Sequence, residues 1–172
     1  MCKAPLEKMP DWFPGLGEKL GSGVDGSVYA LSDGSVVKFS SAYDKQLLAE
    51  IATGKHPHFV EVFDFGVGES GMHFVVMERL YPITDDEAKV FHTIISHEDR
   101  GLSKTFTLAR LDEVLDGLSV GLEFDKKAVV AFYRQVRSDA MTHLDLHERN
   151  LMKDKGRRFK LVDLNRISKE ER

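Results

Sequence analysis

His143-Leu144-Asp145-Leu146-His147-Glu148-Arg149-Asn150, followed downstream by Leu161-Val162-Asp163-Leu164-Asn165, is the stretch on which the reading of this chain turns. Between the two segments lie the apolar pair Leu151-Met152, a turn at Asp154-Lys155-Gly156 and a β-favouring run from Phe159 to Val162. The spacing predicts strand, turn, strand, with Asp145 and Asn150 ahead of the first strand and Asp163 just after the second. Each residue type has a chemical use. Asp145 can accept a proton from a hydroxyl or orient a nucleophile. Asn150 offers a neutral amide oxygen and Asp163 a carboxylate, a ligand pair suited to a hard cation such as Mg2+. A second chemistry is open to His143-x-Asp145-x-His147. Alternate side chains of an extended segment share a face, so two imidazoles and a carboxylate could hold Zn2+ or Fe2+ for hydrolysis. That reading leaves Asp163, and the residues considered next, without a role.

Upstream, Gly21-Ser22-Gly23-Val24-Asp25-Gly26 forms a G-x-G-x-x-G run, which two unrelated folds use. A dinucleotide-binding loop needs a helix directly after the third glycine. Here Ser27-Val28-Tyr29-Ala30-Leu31 reads as a strand, Asp33-Gly34 as a hairpin turn and Ser35 to Phe39 as the returning strand. The run therefore suits a glycine-rich lid on a β-hairpin, where bare backbone can lie close over phosphates. A simple flexible bend is the plainer alternative for the glycines taken alone. No Walker A loop is present, since Gly54-Lys55 is followed by His56. Lys38, on the returning strand, is placed to point an ammonium under the lid toward α/β-phosphates. A lone strand lysine more commonly faces water. Glu50, on a short helix expected over 43–53, is the natural anion to hold Lys38, although a lone helical glutamate is usually solvated.

Composition narrows the classes. The chain has 172 residues, 42% hydrophobic and 30% charged, the profile of a globular domain with a core. Lys and Arg number 24 against 28 Asp and Glu, a net charge of −4, which disfavours general binding to nucleic acid or to a membrane surface. A single cysteine, Cys2, excludes an intrachain disulfide and a multi-cysteine zinc site. The longest apolar runs, such as Ala128-Val129-Val130-Ala131-Phe132, are too short to span a bilayer, and the first residues lack a signal-peptide core. A cytoplasmic protein is expected, with neither nucleic acid nor membrane as partner.

The organisation reads in three parts. Residues 1–17, with Pro5, Pro10, Pro14, Gly15 and Gly17, form a loop-like lead-in. Residues 18–80 are strand-rich with one helix, and include strand-like runs at Phe59 to Phe65 and Met72 to Met77. Residues 81–172 turn helical, with periodic apolar spacing over 85–97, 106–118 and about 126–141 before the strand–turn–strand. The fold class is α+β. Trp12 and Phe13 are expected to pack the lead-in against the sheet, and His56 and His58 to brace the helix exit. Lys153, Lys155, Arg157, Arg158 and Lys160 read as a solvated hairpin tip that could also dock an acidic partner.

Over roughly residues 18–165 the chain resembles the protein-kinase-like superfamily, whose parts appear in the family's order. These are the glycine lid (Gly21, Ser22, Gly23, Gly26) with Val28, the strand lysine Lys38, the helix glutamate Glu50, the catalytic loop around Asp145 and the metal aspartate Asp163. Glu50-Ile51, His56-Pro57 and Phe74-Val75-Val76-Met77-Glu78-Arg79-Leu80 match the family's connecting text. The resemblance implies a two-lobed fold, an antiparallel sheet lobe with one helix and a reduced helical C-lobe. It makes Met77 the gatekeeper and gives adenine to the backbone of Glu78 to Leu80. It implies ATP and Mg2+ as cofactors, with Asn150 and Asp163 on the metal, Asp145 on the acceptor hydroxyl and His143 as a support for the turn at Asp163. Departures qualify this. Leu144 stands where the family usually has arginine, so control by a phosphorylated activation loop is not expected. His147 stands where protein kinases usually carry lysine, and either touches the transferred phosphate or braces the loop. Asp163-Leu164-Asn165 replaces D-F-G, and Asn tolerates the left-handed backbone that Gly would allow.

With nine residues after Asp163, the usual peptide groove of the family is not expected. The stretch 100–118 is expected to shield the catalytic loop from below, or else self-association as a homodimer covers the exposed apolar face. Asp145-x-His147-x-x-Asn150-x-Met152 is similar to a pattern of compact bacteriophage serine/threonine kinases. The expected activity is phosphoryl transfer to protein Ser/Thr, on host proteins in a host cytoplasm if the gene is a phage's. The alternatives are a catalytically silent nucleotide- or partner-binding module and a small-molecule kinase of the aminoglycoside type.

Overall fold

The computed structural model describes residues 13–23, 26–41, 43, 45–54, 57–68, 71–97, 128, 131–132 and 148–162. The chain divides into two units, Met1–Arg79 and Leu80–Arg172.

Among the described residues, the first unit has a five-stranded antiparallel sheet and one helix. Its strands are β1 (Leu16–Gly23), β2 (Gly26–Leu31), β3 (Val36–Ser40), β4 (Val62–Val67) and β5 (His73–Met77), in the order β1-β2-β3-β5-β4. The helix α1 (Lys45–Ala52) joins β3 to β4. Period-2 alternation fixes the register. Tyr29, Val37 and Phe39 are buried on one face, and Phe13, Leu16, Leu31, Met72, Phe74 and Val76 pack against them. Phe13 sits edge-on to Phe39 (5.5 Å between centroids) and to Phe74 (5.3 Å), so the lead-in does pack onto the sheet through this ring. Strand β1 begins at Leu16, ahead of the boundary expected at residue 18.

The β2–β3 turn uses its sequence as expected. Gly34 takes φ +87 and donates its N–H to the Leu31 carbonyl, while the Asp33 carboxylate accepts from the Ser35 amide (2.9 Å) and hydroxyl (2.6 Å). The Ser35 hydroxyl and amide hold the Asp33 carboxyl below its ordinary value. Helix α1 buries Leu48 and Ile51 and stops at Gly54, whose φ of +70 and N–H bond to the Ile51 carbonyl close its last turn. His58 is buried, with its ring tilted against Phe59 at 4.7 Å.

The second unit contains β6 (Tyr81–Pro82), α2 (Asp85–His97), a 3-10 turn (Glu148–Asn150), β7 (Leu151–Lys153) and β8 (Phe159–Leu161). The three strands pair in the order β6-β7-β8. Phe91, Phe132 and Phe159 form its aromatic centre, with centroids 5.1 to 5.8 Å apart. Residues 128, 131 and 132 of the third expected helix are helical, and the stretch 106–118 lies outside the described residues. Helix α2 opens with a capping box. The Thr84 hydroxyl accepts from the Glu87 amide, and the Glu87 carboxylate accepts from the Thr84 amide at 2.8 Å. Asp85, Asp86 and Glu87 also place negative charge at the helix's positive end.

The basic residues from Lys153 to Lys160 do not form one solvated tip. Lys153 is no part of a solvated tip, because its ammonium binds the other oxygen of Glu87 and lies over the Phe159 ring. Lys160 is buried. Arg158 is exposed but committed to Asp154, through its Nε at 2.7 Å and its amide at 2.9 Å. Burial pushes the Asp154 carboxyl up, but the Arg158 amide and guanidinium outweigh it and hold the group below its ordinary value. Lys155, Arg157 and Arg158 remain exposed at the expected tip, with Arg157 in the left-handed region at φ 63. Among the described residues no helix is long and apolar enough to cross a membrane.

Candidate functional site

Four strands bring the lid and the strand lysine into one line. Gly21 on β1 is opposite Val28 on β2, Val28 is opposite Lys38 on β3, and Lys38 is opposite Val75 on β5. Directly opposed residues of a sheet share a face, so Gly21, Val28, Lys38 and Val75 form one cross-strand row. Met77, two residues along β5 from Val75, shares that face and is opposite Val36. The face is the reverse of the aromatic one, since Tyr29, Val37 and Phe39 alternate with these positions. Lys38 is half-buried, with Val28 and Val75 on either side of it in the row.

The three glycines of the run occupy different environments. Gly26 has φ +143, and a Cβ there would lie 1.8 Å from the Phe39 carbonyl oxygen. Its glycine is demanded by the approach of two backbones. Gly21 and Gly23 are exposed, and a Cβ on either would meet nothing within 4 Å. The sheet gives neither of them a packing reason to be glycine. A bare, outward backbone at these two positions is what a phosphate chain lying against the strand would require. Ser22, between them, is opposite Ser27, and Gly23 is opposite Gly26. Leu20, next to Gly21, is an exposed leucine that sequence reasoning did not single out.

At the far end of β5, Met77 is buried. The following residue, Glu78, is gripped twice by the chain leading into β4. Its amide donates to the Glu61 carbonyl at 3.0 Å, and its carboxylate accepts from the Glu61 amide at 2.7 Å. The backbone at 78, the stretch assigned to a base by resemblance, is thus fixed against β4. Leu80 is half-buried at the start of the second unit.

Tyr43 adds a residue missed in the sequence. Its hydroxyl donates to the Lys38 carbonyl at 2.8 Å, and its ring stands edge-on to His73 at 5.9 Å. Burial pushes the Tyr43 phenol up, a hydrogen bond with the Ser40 side chain opposing this only in part. Glu50 is helical, on α1, with its side chain outside the description.

In the second unit, Asn150 ends the 3-10 turn and its carbonyl accepts from the Val162 amide at 2.9 Å. With Leu151 opposite Leu161 and Lys153 opposite Phe159, the strand–turn–strand expected from the sequence is formed, and Asn150 and Val162 close it at the open end. Glu148, in the same turn, lies 3.5 Å from His92 of α2. Asp145, His147, His143 and Asp163 lie outside the described residues. Among the described residues no group of His, Cys, Asp or Glu is gathered as a metal site.

No family model matches the sequence, and no curated protein matches it. The chain is similar in structure to the kinase PK-1 of Cydia pomonella granulovirus, with a TM-score of 0.53 and 17% sequence identity. The match covers 87% of this chain and 52% of that one, so the chain spans about half the length of the viral kinase structure. At that identity the likeness is one of fold: the chain has a protein-kinase-like fold, and the antiparallel sheet with one helix among the described residues is consistent with a kinase N-lobe.

Proposed function

We propose that the chain is a phosphotransferase that moves the terminal phosphoryl group of ATP to an alcohol, with Mg2+ as its metal. The favoured acceptor is a serine or threonine of a protein, following the resemblance of the catalytic-loop text to compact bacteriophage kinases. One observation carries the reading most. Gly21, Val28 and Lys38 stand in a single cross-strand row, and the glycine end of that row is open.

In this reading Gly21, Ser22 and Gly23 lay bare backbone along the phosphates, and Lys38 places its ammonium on the α- and β-phosphates. Glu50 is the anion that steadies Lys38. Val28 and Met77 offer apolar surface to the base, and the backbone from Glu78 to Leu80 its hydrogen bonds. From the second unit, Asn150 and Asp163 are the oxygen ligands for Mg2+, which supplies charge neutralisation at the phosphate oxygens. Asp145 accepts the proton of the acceptor hydroxyl as its oxygen bonds to the γ-phosphorus. The bond to the bridging oxygen breaks, and ADP leaves. His147 touches the transferred phosphate.

The test is transfer from γ-labelled ATP with Mg2+, with and without a cell lysate, beside Asp145→Ala and Asp163→Ala. Label on the protein or on lysate proteins, lost in both variants, is the expected outcome. Label that stays in ATP, or transfer that survives Asp145→Ala, overturns the reading. In the first of those cases nucleotide binding without transfer would mark a silent binding module.

A further inference from the structure

We propose that Tyr43 is a positioning residue for Lys38, a clasp that fixes the lysine's backbone to the segment entering α1; this rests on the phosphotransferase reading above. Three contacts define the clasp. The Tyr43 hydroxyl donates to the Lys38 carbonyl at 2.8 Å, reaching back five positions along the chain to the middle of β3. The same hydroxyl is hydrogen-bonded to the Ser40 side chain, itself buried on the last residue of β3. The ring stands edge-on to His73, which is opposite Ser40 and so lies on the face that carries Lys38.

The consequence follows from where Tyr43 sits in the chain. Helix α1 starts at Lys45, two residues later, and carries Glu50. A side chain that holds the Lys38 backbone with one end, and by its own backbone leads into α1, sets the distance between the lysine's strand and the helix's first turn. A lysine on a long flexible stem is useful to a phosphate chain only if its root is fixed, because each free rotamer dilutes the productive one. Val28 and Val75 flank the lysine in its row, and the clasp confines its root. A tyrosine that merely filled space would need its ring there. The hydroxyl's aim at the carbonyl of Lys38, rather than at solvent, is what the positioning role adds.

The distinguishing variant is Tyr43→Phe, which keeps the ring against His73 and removes only the hydroxyl. Binding of ATP with Mg2+ is measured for four proteins: the natural chain, Tyr43→Phe, Lys38→Met and the double variant. Tyr43→Phe is expected to weaken binding by about threefold to tenfold, the worth of one neutral hydrogen bond. In the Lys38→Met background it should change binding less than about twofold, because the clasp acts through the lysine. Equal losses in both backgrounds overturn the proposal, since they describe a general structural role. No loss in the natural background, with binding of the natural chain intact, overturns the clasp alone. A natural chain that binds no nucleotide overturns the phosphotransferase reading and the clasp together.

Discussion

At the scale of single residues, the glycine run separates packing from function. Gly26→Ala would drive a methyl group into the Phe39 carbonyl and force a backbone that only glycine adopts readily. It should cost at least about 3 kcal/mol or prevent folding. Gly21→Ala and Gly23→Ala meet open space, so their thermal unfolding should stay within about 1 kcal/mol of the natural protein. Their ATP affinity should nevertheless fall, by about tenfold for the loss of close backbone approach. Calorimetric unfolding beside nucleotide titration reads both effects. Unfolding losses at Gly21 as large as those at Gly26 would show that the sheet, and not a ligand, demands the glycine. The row that places Lys38 is equally a matter of single residues, since a shift of one position on β3 would turn the lysine to the aromatic face.

At the scale of elements, the least expected device is the contact between the start of α2 and β7. Glu87 caps its helix with one oxygen and binds Lys153 with the other, and their side chains are only 5% and 13% exposed. Removing one partner strands a buried charge, so Lys153→Met alone should cost about 3 to 5 kcal/mol. The double change Glu87→Gln with Lys153→Met should recover a large part of that loss, because the orphaned charge goes with its partner. Chemical denaturation of the three variants checks this, and a double variant no better than Lys153→Met would disprove the coupling. The capping box follows a local Thr84-x-x-Glu87 pattern that the sequence reading did not use. Its tie to a lysine far along the chain was not legible, since no local pattern marks a surface-looking lysine for burial. The same blindness made the basic residues from Lys153 to Lys160 look like one exposed tip. The burial of every residue of β8, and the ring of Phe159 under the Lys153 ammonium, divide them.

At the scale of the whole molecule, a ligand that binds only the folded chain must raise its stability. Saturation with ATP and Mg2+, at about a hundredfold over the dissociation constant, should add about 2.7 kcal/mol. Chelating the metal should remove part of the gain, and Asp163→Ala should abolish the metal-dependent share. A thermal midpoint indifferent to ATP would contradict the nucleotide site. Much of the first unit could be read in advance, because its signals are local: turn residues at Asp33-Gly34, alternation in β2, β3 and β5, and Gly54 after α1. The row from Gly21 to Val75 was only implicit, since register across strands is a long-range property. Tyr43 was silent for another reason. A tyrosine ahead of a helix carries no pattern, and its bond to Lys38 appears only once the chain has turned back on itself.

The double duty of Glu87 also bears on how the second unit holds together. Its cap on α2 is a local contact of three residues, but its bond to Lys153 spans 66. Closing so long a loop costs chain entropy that grows with the logarithm of its length. One carboxylate therefore ties a helix start to the docking of a strand distant in sequence. The two are linked energetically: α2 has its full hold only with β7 in place.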